Sequence, residues 1–296
     1  MAARPIGVGH LTVLDVAPPE WVALAAAAGF DAVGVRAAAA SPGEEQWPME
    51  VGSPMLGATL RRLDDTGMVV QDVEIIRLDP GAGPEAYRPL FETGQALGAR
   101  FVNTIAFDPD PARSRDTVAA LAALAAEHGL RLSLEAIPYS TVRNLDEALA
   151  ALGSSGAGLI VDPLHVQRSG DGVARVRALD PGVLSYLQLC DAPLAAPSGL
   201  PRPARLPMNQ SGATEDLPIE ARAARLPPGD GELPLPDLVG AVPADLPISV
   251  EVPNITLREE LGAAAFLRVT RRGVDRVLDA VAPPARTPYR QEETHA

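Results

Sequence analysis

Residues 130–138 read Leu-Arg-Leu-Ser-Leu-Glu-Ala-Ile-Pro. Successive side chains of a strand point to opposite faces. Leu130, Leu132 and Leu134 therefore share one apolar face suited to packing under helices, and Arg131, Ser133 and Glu135 share the other. Residues 248–253, Ile-Ser-Val-Glu-Val-Pro, repeat the arrangement: Ile248 and Val250 face out, Ser249 and Glu251 face in. Proline cannot donate to a sheet ladder, so Pro138 and Pro253 stop each strand just past its carboxylate.

The pattern extends outward from these two strands. Strands are expected over Ile6–Val13, Asp31–Arg36, Met68–Ile76, Arg100–Ala106, Leu130–Ile137, Gly158–Asp162, Val183–Cys190 and Ile248–Val252. Ala-rich helical stretches alternate with them: Pro18–Ala28, Ser53–Thr66, Pro84–Leu97, Asp110–His128, Asn144–Leu152, a helix within Val173–Leu179, Leu235–Val242 and Leu257–Ala280. Eight strand-then-helix pairs point to α/β architecture with a parallel sheet, and in roughly 250 residues to a single-domain (β/α)8 TIM barrel. An open doubly wound sheet would carry a Gly-rich phosphate loop after its first strand. Here Gly7 and Gly9 lie inside that strand and no third glycine opens a helix.

One segment breaks the rhythm. Residues 191–228 hold eight prolines, too long a stretch for a plain connection, and would sit at the C-terminal mouth of a barrel as a loop, lid or subunit contact. The barrel is expected to span residues 1–282, and 283–296 reads as a tail, disordered or at a subunit contact.

Composition narrows the chemistry. Of 296 residues, 47% are hydrophobic and 21% charged, a globular balance. All 25 basic residues are Arg, which removes a lysine Schiff base and a P-loop lysine. A net charge of −13 argues against nucleic acid as partner, because phosphate neutralisation needs a basic face. The single cysteine, Cys190, excludes an internal disulfide and a multi-Cys metal site. No apolar run reaches the roughly 18 residues of a membrane helix and no signal peptide is read, so the expectation is a cytoplasmic protein with no membrane partner.

Four strands bring polar groups to one end of the sheet: Glu135, Asp162 (with His165 three residues on), Gln188 and Glu251. Active sites in barrels of this kind lie at strand C-termini. Burying several unpaired acids is costly, and an oxygen-donor set suits a hard divalent cation such as Mn²⁺ or Mg²⁺. Each residue also has a plain structural role open to it, Asp162 as a turn residue and His165 as a helix cap among them. His10, Trp47, Glu74, Asn103 and Phe107 follow or end other strands and are candidate substrate-binding residues.

The stretches LSLEAIPYS, LIVDPLHVQRSG, YLQLCD, RLPPGDGELPL and ISVEVP resemble, in order and spacing, the sugar phosphate isomerase/epimerase group with its xylose isomerase-like TIM barrel, over about residues 6–280. The resemblance implies four metal ligands, at Glu135, Asp162, Gln188 and Glu251. Gln188 stands where the family usually has His, and Thr141 where its epimerases have a Glu supporting the first ligand. It also implies that Arg225 reaches substrate oxygens and that His165 polarises or protonates the substrate. The activity implied is a metal-dependent isomerase or epimerase of a sugar, inosose or related keto-polyol, with Glu135 and Glu251 exchanging a proton through an enediolate. Separately, the C-terminal tail and the Pro-rich segment point to self-association as a homo-oligomer. A dehydratase or lyase of dehydroshikimate, inosose or C-glycoside type on the same site is the alternative; a non-catalytic binding subunit with a degenerate site is the other. A nuclease of the endonuclease IV type is disfavoured by four His in all and the acidic balance.

Overall fold

The computed structural model describes residues 4–81, 83–210 and 214–281. Eight parallel strands close into a barrel in chain order: β1 (Ile6–Val8), β2 (Ala32–Arg36), β3 (Val69–Leu78), β4 (Phe101–Ala106), β5 (Arg131–Glu135), β6 (Gly158–Val161), β7 (Leu184–Leu189) and β8 (Ile248–Val250). β8 pairs with β1, Gly7 opposite Ser249. The helices are α1 (Pro18–Ala28), α2 (Pro54–Thr66), α3 (Arg88–Ala96), α4 (Pro111–Glu127), α5 (Leu145–Leu152), α6 (Pro163–Ser169), α7 (Gly172–Arg177), α8 (Asp216–Ala223), α9 (Leu235–Val239), α10 (Ile255–Leu261) and α11 (Ala263–Asp279). Among the described residues no helix is long and apolar enough to cross a membrane. The tail at 283–296 lies outside the described residues.

The outward strand faces make the main core. Val33, Val35, Leu132, Leu134, Leu187 and Val250 are buried there with Trp21, Phe91 and Phe266 from the helices. Each such side chain removed from water contributes about 1.5–3 kcal/mol. A second cluster, Phe101, Ile160 and Tyr186, fills the barrel itself. Helix starts follow the sequence chemistry. Ser53, Asp110, Asn144, Asp162 and Asn254 accept first-turn backbone N–H groups that have no intrahelical partner.

Several expectations need correction. The first strand ends at Val8, and His10–Val13 form a 3-10 turn. The helix expected over 84–97 opens as a 3-10 turn and becomes α-helical at Arg88. The last helix is two helices, because Gly262 takes φ +72°, a left-handed value that interrupts the helix. The 191–228 segment holds α8, and β6 is followed by α6 before the expected helix near 173.

Two local features shape the interior. The register between β3 and β4 shifts between Val73 and Ile76, so Glu74 and Ile75 on β3 stand against one residue of β4. Such a bulge re-aims side chains, and both residues line the same cavity. Gly34 makes room beside them. A Cβ there would lie 2.8 Å from Glu74 Oε1, closer than packed atoms allow.

Candidate active site at the strand ends

At the C-terminal rim a cavity of about 50 Å³ is lined by Arg36, Glu74, Asn103, Glu135, His165, Arg225 and Glu251, with apolar neighbours on one side. Gln210, Ala221 and Arg222 of the β7–β8 connection form part of its lining.

Glu135 is the last residue of β5 and is buried. Asp162 follows β6 and caps α6, Oδ1 accepting from the N–H groups of Leu164 (2.7 Å) and His165 (3.2 Å). The Asp-Pro sequence thus does two jobs. Pro163 starts a helix whose first turn aims His165 back toward the barrel. His165 Nε2 lies 3.6 Å from Glu135 Oε1. One ligand atom each from Glu135, Asp162 and His165 falls within 4.8 Å of the others, a group able to hold a metal ion.

Arg225 stands against this group. Its Nη1 donates to Asp162 Oδ2 at 2.5 Å, and its Nη2 lies 3.2 Å from Glu251 Oε2 and 3.4 Å from His165 Nε2. Sequence reasoning placed Glu251 among the ligands and His165 on the substrate. The geometry gathers His165 with the two acids and turns Glu251 to Arg225. Arg225 is aimed by its own Nε, which donates to Ala221 O (2.9 Å), and by Asn254, whose Nδ2 donates to Arg225 O (2.7 Å). The glycines after it anchor the return of the chain. Asp191 accepts from the N–H groups of Gly229 (2.9 Å) and Leu233 (3.0 Å), and Gly229 sits at φ +83°.

The electrostatics follow from burial. Burial raises the proton affinity of Glu135, the negative charges of Glu251 and Asp162 raise it further, and Arg225 opposes them; the net shift is well upward. Burial likewise lifts Glu251, held back by Arg225, to about 7. For Asp162, burial is outweighed by Arg225, His165 and the backbone N–H, and the carboxyl falls below its usual range. Burial lowers His165 to about 4, so it is neutral at pH 7 and offers a lone pair.

Do these residues fit a cation? Buried acceptors in native proteins nearly always have partners. Among the described residues, Glu135 Oε1 and Asn103 Oδ1 in the cavity lining, and Gln188 Oε1 on β7, are buried with none. An open carboxylate oxygen on Glu135, a neutral imidazole and an excess of carboxylate are a fit for a divalent ion.

The remaining candidates divide. Glu74, Asn103 and Phe107 line the cavity. His10 does not: Nε2 donates to Val16 O (2.8 Å), Nδ1 accepts from Arg36 N (3.2 Å), and the ring stacks on Trp21. Trp47 donates to Leu14 O (3.2 Å) and lies in a separate surface cleft with Tyr87 and Pro89. Sequence reasoning missed Arg36, Glu44, Tyr139 and the buried pair Arg168–Glu220, in which two nitrogens of Arg168 meet the carboxylate at 2.6 and 2.8 Å and fix α8 on α6. That pair joins residues 52 apart in sequence, and no local pattern announces it.

A family model described as Xylose isomerase-like TIM barrel matches residues 22–272. The chain belongs to that family. No curated protein matches its sequence. Among solved structures it is similar to a xylose isomerase-like TIM barrel/4-hydroxyphenylpyruvate dioxygenase fusion protein (20% identity, TM-score 0.67), covering 92% of this chain but 42% of that one. It also resembles a D-psicose 3-epimerase studied with D-fructose (13%, TM-score 0.66, 94% of this chain and 100% of that one). A third is the probable 3-DHS dehydratase AsbF from Bacillus anthracis (16%, TM-score 0.68, 92% and 98%). At these identities the structures establish the shared fold.

Proposed function

We propose that this family member is a divalent-cation-dependent isomerase or epimerase of a keto-alcohol, of the sugar or inosose kind, working by proton transfer through an enediolate. The observation that carries the reading is the convergence of Glu135, Asp162 and His165 on one point, with Glu251 close by. Glu135, Asp162 and His165 would hold the ion, with the open amide oxygen of Gln188 as a fourth donor; the oxygen-rich set favours Mn²⁺ or Mg²⁺. A cation bound there supplies Lewis acidity that makes the C–H beside a ketone easier to ionise.

The chain's own groups do the rest. Glu251, with its proton affinity lifted to about 7, is matched to taking or giving a proton near neutrality. Glu135 serves as its counterpart for the second transfer. Arg225 keeps Glu251 and Asp162 apart as charges and places a donor beside the developing oxyanion. The resemblance to a dehydratase favours one further outcome: with a leaving hydroxyl next to the enediolate, the same steps expel water.

The test is incubation of the Mn²⁺-loaded protein with candidate ketoses and keto-polyols in D₂O, read by mass spectrometry and NMR. Deuterium at the carbon beside the carbonyl without loss of water is expected; loss of one water marks the dehydratase. Wild-type rates in both Glu135→Gln and Glu251→Gln would overturn the two-glutamate scheme.

A further inference from the structure

We propose that the substrate of this site is not a polyol along its whole length but a keto-alcohol carrying an apolar, ring-sized group on or next to the reacting carbon. The proposal rests on the proton-transfer reading above and adds the substrate class.

The cavity has two unlike walls. On the β5–β8 side stand the acids, His165 and Arg225. On the β3–β5 side, Ile75, Ile105 and Ile137 form a hydrophobic cluster separate from the main core, with Ala40, Phe107 and Tyr139 packed against it. All six line the cavity. Each isoleucine is less than 10% exposed, and none can accept or donate a hydrogen bond. Two charged groups beside this wall are already occupied, whereas Asn103 Oδ1 and Gln210 Nε2, elsewhere in the lining, are buried without a partner and remain for the polar end of a substrate. Glu74 accepts from Arg36 Nε (3.1 Å) and His10 N (3.1 Å), and Arg36 also donates to Glu44 (3.2 Å).

Hydroxyls laid against the three isoleucines lose their water and find no partner there, an unfavourable exchange. An aryl or alkyl group gains there by leaving water. Tyr139 locates the junction. Its ring meets the His165 ring edge-on at a centroid distance of 5.9 Å, so hydrocarbon begins about one ring-width from the group of ligand atoms. The apolar substituent is therefore attached at the carbonyl or one atom away. The present cavity of about 50 Å³ is below the roughly 300–1,000 Å³ of pockets that enclose such ligands. Seating such a group requires the lining to expand beyond this volume.

The reaction followed is exchange: the C–H of the carbinol carbon breaks, its electron pair enters the enediolate, a carboxylate takes the proton, and a deuteron from solvent returns to carbon. The probes are 2-hydroxyacetophenone, dihydroxyacetone and D-fructose, with the Mn²⁺-loaded protein in D₂O, each rate normalised to exchange in buffer. We expect kcat/KM at least tenfold higher for 2-hydroxyacetophenone than for either polyol. Ile105→Asn and, as a milder change on the half-buried ring, Phe107→Ser should each cut that preference several-fold, with circular dichroism confirming folded protein. Saturation-transfer NMR reads binding of the same probes without turnover. Polyols exchanging and binding as well as the aryl ketone, or a preference untouched in both folded variants, overturns the proposal. Selective aryl-ketone binding that Phe107→Ser weakens, with no exchange of any probe, upholds the wall and sinks the proton-transfer reading instead.

Discussion

Two arginines sit among acids in the barrel mouth, and their surroundings differ. Around Arg36 the two glutamates are fully engaged, although Asp72 Oδ1 beside Glu74 is buried without a partner. Glu74 and Glu44 together accept from Arg36, His10 N, Ala40 N and the Ser41 hydroxyl. Around Arg225 the network is open. Arg225 satisfies Asp162 and Glu251, but Glu135 Oε1, in the same group, remains buried and unpartnered. A satisfied network rigidifies; an unsatisfied one is held at a cost that function has to repay. The difference separates Glu74, whose carboxylate is committed to structure, from Glu135, whose carboxylate is available.

Substitutions on the two sides should behave oppositely. Glu135→Gln should lower the deuterium-exchange rate by about 10²- to 10⁴-fold, yet leave chelator-treated protein at least as stable in urea, because a charge repelled by Glu251 and Asp162 is gone. A loss of stability matching the loss of rate would show that Glu135 is structural. Arg36→Met should do the reverse. It strands Glu44 and Glu74 as uncompensated buried charges, and urea unfolding should register a loss of about 3–5 kcal/mol. A loss under about 1 kcal/mol would mean that the Arg36 network holds little together.

Gln188→His sharpens the open side. Adding a nitrogen donor should tighten Zn²⁺ by tenfold or more, about 1.4 kcal/mol, in calorimetric titration; unchanged affinity would place residue 188 away from the ion.

The smallest effect is on pH. The folded Glu251 carboxyl lies near 7 against 4.5 for its ordinary value. A group with a raised folded value contributes stability that is full below its unfolded value and lost as pH rises through the folded one. In chelator-treated protein, Glu251→Gln should therefore remove part of the fall in Tm between pH 5 and pH 7. Parallel Tm curves for the two proteins would count against that placement.

Much of the barrel was legible because strands alternate strictly. Once Leu132 and Leu134 are placed under helices, Ser133 and Glu135 must point inward, and the same holds for Ser249 and Glu251. Legibility failed where the period failed or where partners are distant. The β3 bulge puts the consecutive residues Glu74 and Ile75 on one cavity, which alternation forbids. Of the apolar wall, Phe107 was legible as a residue following β4, while Ile75, Ile105 and Ile137 read as ordinary strand residues. α8 lay concealed in a proline-rich stretch, although Pro218 falls in its first turn, where a missing N–H costs little. His10 looked like a site residue at a strand end, and the short β1 instead turns it onto Trp21.

The central claim is that Glu135 belongs to a cation centre and the Arg36 network does not. Mn²⁺ titration followed by electron paramagnetic resonance, on wild type, Glu135→Gln and Glu44→Gln, tests it most directly. The account predicts one ion per chain, affinity lost by about 100-fold or more in Glu135→Gln, and no change in Glu44→Gln. No bound Mn²⁺ in wild type, or equal binding in all three proteins, would contradict it.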